Sequence, residues 1–191
     1  LGLMSGTSMD GVDASIIKSD GDREYSIKMD EYFEYGGELR QKLINIREKV
    51  LVVDDLKTHS DEIKSLEKEI TLFHANAVNK ILKTSKIEID LIGFHGQTIF
   101  HDPSINITKQ LGDGNMLSQL TKKLVVYDFR QNDLKNGGQG APLAPIYHYL
   151  LVKTFNEKGK IKVPTIILNI GGIANITSIN ESYKMTSMDI G

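Results

Sequence analysis

Leu1-Gly2-Leu3-Met4-Ser5-Gly6-Thr7-Ser8-Met9-Asp10-Gly11-Val12-Asp13 opens the chain, two extended runs around a tight polar turn. A short apolar run enters a turn of Ser5, Gly6, Thr7 and Ser8. Met9, Asp10 and Gly11 lead out, and a second extended run begins at Val12. Glycine tolerates φ > 0, so Gly6 and Gly11 are expected to let the backbone fold tightly and a ligand approach closely. The hydroxyls of Thr7 and Ser8, with the turn's backbone N–H groups, suit phosphate oxygens. Asp10 and Asp13 stand beside them, where a carboxylate could hold a hydrated Mg²⁺. The stretch is not a P-loop, whose Gly-x-x-x-x-Gly-Lys-Ser/Thr opens a helix. Here the turn joins strand to strand, and on the residues alone an ordinary hairpin turn is the alternative.

Working outward, Val12 to Lys18 reads as a strand and Ser19-Asp20-Gly21-Asp22 as a turn. Tyr25, Ile27, Met29, Glu31, Phe33 and Tyr35 then alternate with mostly polar residues, as in a half-buried strand. The opening is therefore a three-strand antiparallel meander. Leu39, Leu43, Ile46 and Val50 recur at helical spacing. A second helix takes Ser60 as its N-cap, with Asp61 and Glu62 in the first turn. Its stripe is Ile63, Leu66, Ile70, Phe73, Ala77 and Ile81, running to about Lys83, with His74 as a surface or boundary residue beside it.

Ile89 to Phe94 is a continuous apolar run, expected to be a strand buried on both faces. It ends in His95-Gly96-Gln97-Thr98, and open α/β sheets bind ligands beyond the carboxyl ends of their strands. His95 and His101 could form half of a metal site, but no third ligand has recognisable spacing. A short strand over Ile105 to Leu111, a helix over Asn115 to Lys123 and a strand over Leu124 to Phe129 follow. Lys135 to Pro142 is a glycine-rich loop, and Pro142 and Pro145 suit the start of a helix that fades near Phe155. The charged segment Asn156 to Pro164 is the expected domain boundary. Beyond it, strands over Thr165–Ile170, Asn175–Ile179 and Tyr183–Ile190 echo the opening meander, an internal repeat of secondary structure.

The 191 residues suffice for one large domain or one domain plus part of another. With 40% hydrophobic and 25% charged residues, a packed core is within reach. A net charge of −2 leaves no basic footprint for nucleic acid and no polybasic membrane patch. Cysteine is absent, which excludes disulfides and thiolate chemistry. No apolar run approaches the roughly 18 residues of a membrane span, and no signal-peptide pattern is present. Leu1 opens directly on an apolar run without an initiator Met, so further residues upstream are expected.

Six stretches together resemble the anhydro-N-acetylmuramic acid kinase family, of the acetate and sugar kinase, actin and chaperone-ATPase superfamily. They are Gly2 to Asp13; Gly93-Phe94-His95-Gly96-Gln97-Thr98; Gln110-Leu111-Gly112-Asp113; Asp128-Phe129-Arg130 with Asp133; Gly137-Gly138-Gln139-Gly140-Ala141-Pro142-Leu143; and Leu168-Asn169-Ile170-Gly171-Gly172-Ile173-Ala174-Asn175. The resemblance implies an α/β, ribonuclease H-like actin-type ATPase lobe over residues 1–158. The truncated start of a second, similar lobe would occupy 159–191. The family's Asp-x-Gly-Pro-Gly-Asn motif begins at Asp189 and Gly191, and a family member runs on for as many residues again, so this chain by itself is expected to be incomplete.

What the resemblance implies for function is an ATP- and Mg²⁺-dependent kinase of peptidoglycan recycling. It would open the 1,6-anhydro bond of 1,6-anhydro-N-acetylmuramic acid with water and phosphorylate O6. Asp189 matches the catalytic aspartate that activates water. Gly6, Thr7, Ser8, Asp10, Gly11 and Asp13 match the nucleotide-phosphate loop, with Asp10 toward the metal, and Gly171 and Gly172 the equivalent turn of the second lobe. His95, Gln97, Thr98, Arg130, Asp133 and Gln139 are expected to line the sugar site. Arg130 suits a carboxylate such as the lactyl group, against the alternative of a surface salt bridge. The family also implies a cytoplasmic protein without nucleic-acid or membrane partners, and leaves a homodimer open. The rival readings are a kinase for another sugar and an inactive or merely ligand-binding amino-terminal fragment.

Overall fold

A computed structural model describes residues 1–171 and 174–190, with Asp189 described by its backbone. The opening stretch forms β1 (Gly2–Ser5) and β2 (Gly11–Ser19), and the alternating stretch forms β3 (Tyr25–Glu34). These strands make the expected antiparallel meander, with Leu3 opposite Ala14 and Val12 opposite Phe33. Helix α1 (Gly37–Lys49), the short α2 (Asp55–Thr58) and the long α3 (Ser60–Thr84) follow. Ser60 is the first helical residue of α3 and His59 its cap, without a side-chain hydrogen bond to the helix.

Strand β4 (Leu91–Asp102) then enters beside β1, and β5 (Ile107–Leu111) returns along its second half as a hairpin. Helix α4 (Gly114–Thr121) leads to β6 (Leu124–Tyr127), parallel to the first half of β4. The result is a mixed six-stranded sheet, in the order β3-β2-β1-β4-β5 with β6 also on β4. Such a mixed α/β arrangement is consistent with an actin-like ATPase lobe.

One face of this sheet carries the core. Leu3, Val12, Ile16, Ile92 and Phe94 are buried there, together with Leu43 and Ile46 of α1 and Ile70, Val78 and Ile81 of α3. The other face is open: Met4 is 40%, Leu91 46% and Val126 44% exposed. The expectation of burial on both faces of β4 is therefore wrong, because α1 and α3 both pack on the same side. His74 is also misplaced by the sequence reading. It is fully buried, with its ring against Phe94 at 4.9 Å between centroids.

One difference follows β6. Asp128 adopts a left-handed conformation (φ 63°) and turns the chain into helix α5 (Phe129–Lys135), where the sequence suggested a strand end and a loop. Helix α6 (Pro145–Glu157) starts with Pro145 in its first turn, where the missing N–H costs nothing. Finally β7 (Thr165–Asn169), β8 (Asn175–Ile179) and β9 (Met185–Asp189) form a separate antiparallel three-stranded sheet. The face of α6 that carries His148 packs on it, with the imidazole Nδ1 2.8 Å from Thr177 Oγ1.

Candidate active site

The parallel segments of β1, β4 and β6 end side by side, with Ser5 opposite Gln97 and Phe94 opposite Tyr127. The turn after β1, the residues from His95 onward and the Asp128–Arg130 corner therefore share one edge of the sheet. Ligands of open α/β sheets bind at such an edge.

The β1–β2 turn is closed by the Met9 amide donating to the Gly6 carbonyl at 3.2 Å. Met9, buried, takes the left-handed backbone (φ 53°); neither Gly6 nor Gly11 does. The reason for the two glycines thus differs from the expected one. A Cβ at Gly11 would meet the Phe33 carbonyl and the Tyr32 ring, so only glycine fits between β2 and β3 there. A Cβ at Gly6 would approach nothing closer than Ser8 Oγ at 3.7 Å, so the fold itself does not demand that glycine. Ser8 Oγ donates to Asp10 Oδ1 at 2.6 Å, and Arg47 of α1 reaches across to donate from Nη1 to the Thr7 carbonyl at 3.1 Å. Thr7, Ser8, Met9 and Arg47 border a groove of about 330 Å³. Partial burial, and then the neighbouring Asp10 carboxylate, push the Asp13 carboxyl above the usual carboxylate range. A divalent cation beside these carboxylates would favour the charged form of Asp13.

On β4, Gly96 takes a left-handed backbone (φ 71°), and a Cβ there would strike the Leu111 carbonyl. His95 is held at both ring nitrogens. Arg130 Nε donates to its Nε2 at 2.8 Å, so Nδ1 carries the proton and donates to the Gly96 carbonyl at 2.7 Å. Burial, and next the Arg130 guanidinium, lower the His95 pKa to about 4, so the imidazole is neutral at neutral pH. A neutral imidazole accepting from Nε fixes the plane of the guanidinium, which matters for bidentate recognition of a carboxylate. Phe94, His95, Lys109, Gln110, Tyr127 and Asp128 border a cavity of about 190 Å³ beside this pair. Thr98 Oγ1 accepts from Gln110 Nε2 at 3.2 Å.

Gln97, Asp133 and Gln139, expected to line the sugar site, have the following places in the fold. Gln97 is fully buried and turned toward β1. Its Oε1 accepts from Ser5 Oγ and its Nε2 donates to the Gly6 carbonyl at 3.0 Å. It therefore supports the β1–β2 turn and does not border the cavity beside His95. Asp133, at the border of a larger groove of about 850 Å³, accepts from the Gly140 amide at 2.7 Å and fills the space where a Gly138 side chain would stand. It fixes the glycine-rich loop. Gln139 is exposed on that loop.

In the second sheet Gly171 is an exposed bend after β7. Gly172, Gly191 and the side chain of Asp189 lie outside the described residues; the Asp189 backbone pairs with Asn175 at the end of β9. Sequence reasoning missed the parts played by Arg47 and by Tyr35, whose amide donates to the Asp10 carbonyl at 2.8 Å. Both lie far along the chain from the turn they contact. Among the described residues no group of three or more His, Asp or Glu is arranged to hold a metal, and no helix is long and apolar enough to cross a membrane.

The sequence pattern of the family described as Anhydro-N-acetylmuramic acid kinase matches residues 1–191. The chain is 55% identical over 195 residues to the Anhydro-N-acetylmuramic acid kinase of Pelagibacter ubique, with all of this chain and 50% of that protein covered. It is 40% identical over 198 residues to the protein of the same name from Brucella canis, covering all of this chain and 52% of the relative. The relative from Agrobacterium fabrum is 39% identical over 197 residues, again with 52% of its length covered. The chain thus spans about half the length of the curated relatives it matches.

Proposed function

Because the chain belongs to the anhydro-N-acetylmuramic acid kinase family, we propose that the protein carrying it is an ATP-dependent kinase that hydrolytically opens 1,6-anhydro-N-acetylmuramic acid. The product is the 6-phosphate of N-acetylmuramic acid, a step of peptidoglycan recycling in the cytoplasm. The supporting observation is one sheet edge that bears both a phosphate-type turn and an arginine held in plane by a neutral histidine.

In this reading residues 1–158 are the first kinase lobe, and 159–191 begin a second of the same three-strand design. The turn of Gly6, Thr7, Ser8 and Gly11 receives the nucleotide phosphates, and Gly171 with Gly172 does so from the other lobe. Gly6 is explained at once: no atom of the fold excludes a side chain there, whereas a phosphate drawn onto the backbone would. Asp10 and Asp13 hold Mg²⁺, which neutralises phosphate charge when bound. Arg130, oriented by His95, takes the lactyl carboxylate, with Thr98 nearby. Asp133 and Gln139 act through the loop they shape.

Opening a glycosidic bond ordinarily needs an acid for the leaving oxygen and a base for water. Here O6 is the leaving oxygen and accepts the γ-phosphoryl group, so only the base is required. Asp189 takes the proton from the water that attacks C1, on the face opposite O6. The test is an assay of ATP consumption with the anhydro sugar and with plain hexoses, followed by identification of the anomer first formed. Turnover with the anhydro sugar alone and inversion at C1 are expected; equal turnover with hexoses would redirect the reading to a general sugar kinase.

A further inference from the structure

We propose that Tyr35, Ser5 and Gln97 form a hydrogen-bonded relay that positions the phosphate turn and ties it to β4, the strand bearing the acceptor site. The proposal rests on reading Ser5–Gly11 as the nucleotide-phosphate turn. Tyr35 Oη donates to Ser5 Oγ at 2.8 Å, Ser5 Oγ donates to Gln97 Oε1, and Gln97 Nε2 donates to the Gly6 carbonyl. All three residues are buried: Tyr35 is 3%, Ser5 1% and Gln97 0% exposed. Every donor points the same way along the chain, an arrangement in which each bond polarises the next. The relay joins three strands: Ser5 closes β1, Tyr35 follows β3, and Gln97 lies within β4.

Tyr35 grips the turn twice. Its hydroxyl reaches the entry through Ser5, and its backbone amide donates to the Asp10 carbonyl at the exit at 2.8 Å. The Gly6 carbonyl, which also closes the turn by accepting from Met9, is fixed by Gln97. Gln97 is two residues from His95 and adjacent to Thr98 on the same strand. A displacement of β4 on acceptor binding therefore reaches the turn through the Gln97 side chain in addition to the β1–β4 backbone pairing. Tyr35, Ser5 and Gln97 touch neither phosphate nor sugar; they are positioning residues.

Tyr35→Phe removes one hydroxyl and leaves the ring on Phe73, 4.7 Å between centroids. In this chain, hydrogen exchange at the Met9 and residue-35 amides should accelerate about tenfold, with Val12 and Ile92 unchanged, since losing a buried hydrogen bond loosens its immediate neighbours. In the kinase assay of the whole protein the KM for MgATP should rise about tenfold and the KM for the acceptor stay within about twofold. Ser5→Ala should reproduce both patterns and serves alone if Tyr35→Phe does not fold. Unchanged exchange in the turn, acceleration spread equally over the core, or equal shifts in both KM values would overturn the relay. Absence of ATP-dependent phosphorylation in the parent protein would instead overturn the kinase reading, and the exchange measurement would still decide the relay.

Discussion

Acid should unfold this protein through its buried histidines, and His74 makes the effect measurable. His74 Nδ1 lies 2.8 Å from the Ile70 carbonyl, to which it donates, while Nε2 is buried without a partner. Burial first, and the nearby His95 in smaller measure, lower its pKa to about 4 from the ordinary 6.5. The folded state therefore resists a proton that the unfolded chain accepts. Stability is complete above pH 6.5, declines as the unfolded chain takes up the proton, and has lost its full share once the pH falls below about 4. At 1.36 kcal/mol for each factor of ten, the difference corresponds to about 3 kcal/mol for this one side chain. That is a large part of the roughly 5–15 kcal/mol that holds an ordinary domain together. The assay is urea unfolding at steps from pH 7.5 to 4.5, for the parent and for His74→Leu. Carboxylates such as Asp13 contribute equally to both, so the difference isolates His74. The gap should close in favour of the variant by about 2.5 kcal/mol between pH 7.5 and 4.5, the remainder of the full shift lying below that range. Parallel stability curves, or an imidazole proton of His74 titrating near 6.5 by NMR, would refute the argument.

Gly11→Ala should cost about 1–3 kcal/mol of stability, read from the urea midpoint, because the new Cβ meets the Phe33 backbone carbonyl. Gly6→Val should leave the urea midpoint within about 1 kcal/mol of the parent yet abolish nucleotide use, since only a ligand is excluded there; unchanged ATP turnover would remove the turn from the site. Asp133→Ala should free the Gly140 amide and speed proteolysis within 136–142, with little change in the Met9 amide. Asp189→Asn, in the whole protein, should lower kcat by about 10²–10⁴-fold with KM values nearly unchanged, and near-normal kcat would exclude it as the base.

The meander, α1 and α3 were legible because local alternation and helical spacing are written in consecutive residues. His74 was not, because the apolar stripe of α3 gives no sign that Phe94, a distant residue, covers its flank. Helix α5 was hidden for another reason. It has seven residues, no apolar stripe, and a start set by the backbone of Asp128. The glycines of the turn were noticed for a sound reason at the wrong atoms: Met9 takes the unusual conformation, and Gly11 is needed for the space a Cβ would occupy. Gln97 was assigned by position on a strand end, whereas the direction of its amide depends on β1 being its parallel neighbour. Pairing partners are the information a single sequence holds least directly.

Strand β4 serves two masters along its length. Its first half is pinned between β1 and β6, Gln97 still pairs with Ser5 of β1, and from Thr98 onward its strand partner is β5. The base of that hairpin is fastened by buried Leu111 and by Lys109 Nζ on Glu67 at 2.6 Å. Its far end, His101 to Thr108, leans on the segment after β6: Gln131 Nε2 donates to the Asn106 carbonyl at 3.4 Å, and a Cβ at Gly140 would stand 3.1 Å from the His101 ring. The hairpin tip is thus a natural cassette: loops of other length or composition could be spliced between His101 and Thr108, at the cost of those two contacts, while the rest of the six-stranded sheet is inherited intact.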